Sequence, residues 1–177
     1  MTAPAPAPLD ADAFRRVVEA HAAELHRYAS GLLSGDADGA RDITQEAFVR
    51  LWQNPPADLS HLRAWLFSVC RSRCFDFLRR RGRFVSDDGA IADAAPDEAP
   101  SPARALADTD AAGALFALVD TLPPRQREIV RLKFQGDLSY AEIGEITGLT
   151  ATNVGFLLHT AIKTLRERLA ARADLKP

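Results

Sequence analysis

The sequence predicts an all-α chain of two small helical domains joined by a flexible acidic linker, and three observations lead there. Apolar residues recur at three- and four-residue steps through most of the chain, the period of helices that bury one face. Charge is segregated: the 177 residues sum to a formal net charge of −2, yet His61–Arg83 holds seven arginines against one aspartate, and Phe84–Ala112 holds seven acidic residues against Arg104 alone. Near the C-terminus, two helical patterns flank a tight turn at Thr147, Gly148 and Leu149. A long terminal helix after such a turn is the helix-turn-helix arrangement.

Residues 1–8, proline and alanine alternating, are expected to be a disordered tail. From Leu9 onward Phe14, Val17, Val18, His21, Leu25, Tyr28, Leu32 and Leu33 keep a helical period, ending at Gly35. Asp36 or Asp38 can cap the next helix, whose buried face is Ala40, Ile43, Ala47 and Leu51 with Phe48 beside it. Asp42, Gln45, Glu46 and Val49 are left outside. Asn54, Pro55 and Pro56 end this helix. Asp58 or Ser60 can then cap the basic helix, in which Leu62, Leu66, Cys70, Cys74 and Phe77 form the apolar stripe while Ser68, Arg71, Ser72, Phe75 and Arg79 point away.

Beyond the acidic linker, Leu115, Leu118, Val119 and Leu122 make a short helix stopped by Pro123 and Pro124, and Ile129, Val130, Leu132 and Phe134 belong to another that Gly136 ends. Ser139 and Glu142 have the spacing of a capping box opening a third, with Ile143 and Ile146 inward. The last helix buries Val154, Leu158, Ala161 and Leu165, leaving Thr152, Asn153, Phe156, Thr160 and Lys163 outward.

A basic, acidic, basic layout suits a binder of polyanions. Catalysis has little to stand on: no phosphate-binding glycine loop, nucleophile elbow or HExxH string is present, and the four histidines are scattered. Cys70 and Cys74 lie one turn apart on the apolar stripe, where cysteine behaves as a small hydrophobe, and two cysteines are half of a four-ligand zinc site. No metal, cofactor or catalytic residue is expected. There is no apolar run of eighteen residues and no secretory signal pattern at the N-terminus, so a cytoplasmic protein without membrane insertion is expected.

The stretch DITQEAFVRLW, Asp42 to Trp52, resembles region 2.2 of the extracytoplasmic-function sigma factors, the small two-domain class of bacterial transcription initiation factors. RAWLFSVCRSRCFDFLRR, Arg63 to Arg80, is similar to their region 2.3–2.4 helix, and LPPRQREIVRLKFQGDL followed by SYAEIGEITGL, from Leu122, is similar to the start of region 4. The resemblance implies a region 2 domain at 9–84, a linker at 85–112 and a region 4 helix-turn-helix domain at 113–173. It further implies core RNA polymerase and promoter DNA as partners, with an anti-sigma factor as inhibitor, and no chemistry of the chain's own.

By the resemblance, Asp42, Gln45 and Glu46 would dock on polymerase. Asn54, Arg71, Phe75, Arg79, Arg80, Arg81 and Arg83 would serve the −10 element, the arginines on phosphates. Phe75 would stack on a flipped base or be a buried aromatic. Trp52 and Trp65 would stack on bases or, as the family's tryptophan does, pack the core, and core packing is the expectation. For the −35 element Arg125, Arg127, Thr152, Asn153, Phe156, Thr160 and Lys163 would be used, with Arg131, Lys133, Arg166 and Arg168 adding charge. The outward face of the last helix departs from the family, because Phe156 stands where basic residues are usual. It would meet thymine methyl groups, contact a protein, or be covered by the linker. The alternative function is a polymerase-independent helix-turn-helix regulator, which has no need of a carboxylate-rich face at Asp42–Glu46.

Overall fold

The computed structural model describes residues 9–82 and 111–173, so the expected tail and nearly all of the acidic linker lie outside the described residues. Seven α-helices are described: α1 (Ala11–Leu32), α2 (Ala37–Gln53), α3 (Leu62–Arg80), α4 (Ala111–Asp120), α5 (Pro124–Phe134), α6 (Tyr140–Thr147) and α7 (Ala151–Ala173).

Helix ends follow local chemistry. Asp10 caps α1 by accepting from the Ala13 N–H at 2.7 Å, and Asp36 caps α2 by accepting from Gly39 at 2.9 Å. Between α1 and α2 the chain turns through Ser34 and Gly35, both at positive φ. The cap expected for α3 is different. His61 occupies the N-cap without a side-chain bond, because Asp58 is spent on the Ser60 N–H at 2.8 Å and the Ser60 hydroxyl at 2.7 Å, in a turn before the helix. Pro124 does not merely stop α4 but begins α5, where its fixed φ suits the first turn and its missing N–H costs nothing.

The helices α1, α2 and α3 pack on one another through Leu25, Tyr28, Ile43, Leu51, Leu66, Cys70 and Leu78, all buried. Helices α5, α6 and α7 pack through Ile129, Leu132, Ile143, Val154 and Leu158. The two groups do not stand apart, since α3 lies against α6, α1 against α5, and one apolar cluster runs through both. Phe67 on α3 reaches Gly136, where an added Cβ would sit 3.1 Å from its ring.

Two glycines make the turn between α6 and α7. Gly148 ends α6 at φ 74°, a left-handed geometry that L side chains rarely adopt. Gly144 lets the returning chain approach so closely that a Cβ there would lie 2.5 Å from the Leu149 carbonyl oxygen. The capping box opening α6 is present, with Ser139 and Glu142 bonded reciprocally.

Candidate nucleic-acid interface

The basic helix α3 divides its charged side chains between solvent and protein. Asn54, at the end of α2, is exposed, as are Arg79, Arg80 and Arg81. Arg79 pairs with Asp76 at 2.7 Å. Arg81 reaches Asp36 at 2.6 Å while lying over the Phe77 ring. These pairs are at the surface and exchange readily for other anions. Arg83 lies outside the described residues.

Arg71 and Phe75, expected to point outward, do not. Phe75 is 4% exposed and the Arg71 guanidinium carbon sits 4.3 Å from its ring centre. Arg71 Nε donates to Glu128 Oε1 on α5 at 2.7 Å, and the Tyr28 hydroxyl on α1 donates to the same oxygen at 3.0 Å. Glu128 is 6% exposed and Tyr28 is fully buried. Burial pushes the Tyr28 hydroxyl well above its ordinary value and the Glu128 charge pushes it further, so it stays protonated and donates. Burial works against the Arg71 charge, but the Glu128 carboxylate outweighs it and holds the guanidinium above its ordinary range. Glu128 of the second helical group reaches Arg71, and Arg71 in turn lies over the buried Phe75 ring.

On α2 the expected outward face is outward: Asp42, Gln45 and Glu46 are exposed. Val49 is 50% and Trp52 52% exposed on the same face, so Trp52 is not the core residue expected. Its ring meets Phe14 edge-on at 5.1 Å and leaves its other side to solvent. Trp65 is partly buried and packs against the apolar cluster. Cys70 and Cys74 are both fully buried free thiols. A hydrogen bond with Cys70, followed by burial, drives the Cys74 thiol well above its ordinary value and so disfavours its thiolate.

In the helix-turn-helix, Thr152, Asn153, Phe156 and Lys163 are exposed and Thr160 is half-buried, its hydroxyl donating back to the Phe156 carbonyl at 3.0 Å. Phe156 is 70% exposed, so the apolar ring stands in solvent on this face. The expectation that residues 85–112 cover it falls almost wholly outside the described residues. Arg125 and Arg127 are partly buried on α5, Arg131 is buried against Asp120, and the Lys133 ammonium donates to the Leu138 carbonyl at 3.0 Å. Arg168 is committed to Thr121, which leaves Arg166 and Lys163 as the exposed cations of α7 before that point. No described helix is long and apolar enough to cross a membrane.

A basic helix beside a carboxylate-bearing helical face is thus followed along the chain by a helix-turn-helix. Residues 17–84 match the Sigma-70 region 2 family model and residues 112–165 the Sigma-70 region 4 model. Among curated relatives, the sigma factor SigL of Mycobacterium tuberculosis is 33% identical over 89% of this chain and 89% of its own length. SigE of Mycolicibacterium smegmatis is also 33% identical, and this chain spans 62% of its length. The sigma factor RpoE of Bartonella quintana, solved in complex with the anti-sigma factor NepR, is 25% identical with a TM-score of 0.64, covering 89% of this chain and 96% of that one. The chain belongs to the extracytoplasmic-function family of RNA polymerase sigma factors. Nothing in these matches supports a polymerase-independent regulator.

Proposed function

We propose that the chain is a transcription initiation factor that binds core RNA polymerase and brings it to promoters, without catalytic chemistry of its own. The observation that carries this reading is the order of the two family matches along one chain, region 2 over the basic helix and region 4 over the helix-turn-helix. Residues 9–84 and 113–173 are the two working units. Asp42, Gln45 and Glu46 form the polymerase contact, and exposed Val49 and Trp52 beside them add an apolar anchor of the kind that carries binding energy at protein interfaces.

Asn54, Arg79, Arg80 and Arg81 serve the −10 element, the arginines exchanging surface carboxylates for phosphates with release of counterions. Arg71, Phe75 and Arg83 belong to the same assignment. Arg125, Arg127, Thr152, Asn153, Phe156, Thr160 and Lys163 face the −35 element, where Phe156 supplies apolar contact in place of an arginine fork. A protein inhibitor of the anti-sigma class is the expected negative partner, given the complex in which the RpoE relative was solved.

Transcription reconstituted from core polymerase, this chain and a pool of duplex templates tests the reading. Transcripts that start at a common sequence only when the chain is added support it. Equal transcription with and without the chain overturns it.

A further inference from the structure

Glu128 is the acid in an otherwise basic stretch from Arg125 to Lys133, and it is aimed at the helix expected to meet DNA. Its carboxylate accepts from Arg71 Nε at 2.7 Å and from the Tyr28 hydroxyl at 3.0 Å, while Oε2 lies 3.4 Å from a terminal nitrogen of Arg71. The three side chains come from α3, α1 and α5, so the cluster bridges the region 2 and region 4 units, with Tyr28 and Glu128 both buried.

Further contacts ring it on the same seam. Arg63 on α3 approaches Asp137 after α5 at 3.6 Å, and His61 approaches Glu142 on α6 at 3.5 Å. Gly31 on α1 leaves its Cβ space to the Arg131 guanidinium of α5, and a methyl group there would overlap it.

A carboxylate offering two oxygens to one guanidinium presents the chemistry of a phosphate group. We propose that Glu128 is an internal phosphate mimic: it occupies Arg71, closes the region 4 unit onto region 2, and keeps Arg71 from DNA until the two units part. Opening exchanges Glu128 for a backbone phosphate on Arg71. The DNA half of this rests on the assignment of Arg71 to the −10 element; the closure itself does not. Buried ion pairs of this kind add little net stability against an apolar alternative but are costly to break on one side, which suits a contact that sets which arrangement is populated.

Glu128→Lys sets like charges against each other, and the double variant Arg71→Glu, Glu128→Lys restores the pair with reversed sign. Gly31→Leu is an independent steric wedge on the same seam. The full chain and these variants are compared by small-angle X-ray scattering, with circular dichroism to verify that helix content is retained. They are also compared for binding to a fluorescein-labelled single-stranded oligonucleotide, with Arg79→Ala, Arg80→Ala as the DNA control.

Closure predicts that Glu128→Lys and Gly31→Leu raise the radius of gyration and the maximum dimension at unchanged helix content, and that the double variant returns both to the parent values. It predicts several-fold tighter oligonucleotide binding by Gly31→Leu, which keeps Arg71. Parent dimensions in both Glu128→Lys and Gly31→Leu overturn the closure, whatever the DNA result. Expansion with no oligonucleotide binding by the parent, the wedge variant or the control overturns the DNA assignment while leaving the closure standing. Expansion with binding that Arg79→Ala, Arg80→Ala weakens but Gly31→Leu leaves unchanged overturns the claim that closure masks Arg71.

Discussion

Arg73 Nε on α3 lies 2.8 Å from Glu46 Oε1 on α2, an ion pair without the alignment of a hydrogen bond. It ties the basic helix to the face proposed for polymerase. The Glu46 side chain is 46% exposed, so water already screens the pair. Glu46→Ala should therefore lower unfolding stability by no more than about 1 kcal/mol in a urea titration. A much larger loss would mean that Glu46 is a structural residue and not an available docking group.

Tyr28→Phe removes one donor to Glu128 and leaves Arg71 in place. A hydrogen bond to a buried charge contributes about 2 kcal/mol, and the substitution should cost that much in denaturant unfolding with no change in helix content. No measurable cost would mean that the hydroxyl does not reach the carboxylate in solution.

Glu142 carries a pH dependence whose sign follows from the capping box. Its hydrogen bonds with the Ser139 hydroxyl and then the Ser139 N–H, with a smaller contribution from His61, hold its carboxyl below the ordinary value of 4.5. A carboxyl lowered in the folded state contributes its stability in full above the unfolded value and loses it as pH falls through the folded one. Melting temperature should thus fall more steeply below pH 4.5 in the parent than in Glu142→Gln, and Ser139→Ala should cost about 1 kcal/mol at neutral pH. Parallel pH profiles for the parent and Glu142→Gln would show that the cap does not depend on the charge.

How much of this was legible in the sequence depended on what each residue faces. Caps and turns are local, so Asp36, the Ser139–Glu142 box and the glycine turn at Gly148 could be read directly. The outward side of α2 was also legible, because the α1–α3 core alone decides it. Arg71 was misplaced for the opposite reason: helical period reports which side avoids a helix's own bundle and is blind to a second bundle reaching that side, whereas the buried Phe75 is one of the two outcomes expected of it. The partner of Arg71 lies 57 residues away and that of Tyr28 100 residues away. The one available signal was Glu128 itself, a carboxylate among arginines. Trp52 was expected in the core by resemblance alone, since the period of α2 does not place it there, and its ring leans on Phe14 with about half its surface exposed.

Phe156, at 70% exposure, contributes little to folding. Phe156→Ala should change stability by less than about 0.5 kcal/mol and yet weaken binding of the polymerase complex to duplexes that contain the −35 element. Unchanged binding would direct attention to a protein contact at this ring.

The most direct test of the central claim is a sizing-column experiment with purified core RNA polymerase, the full chain, and the variant with Asp42, Gln45 and Glu46 all changed to alanine. The parent should comigrate with polymerase, and the triple variant, folded by circular dichroism, should not. Failure of the parent to comigrate at low and at moderate salt, or comigration of the triple variant to the same extent, would contradict that claim.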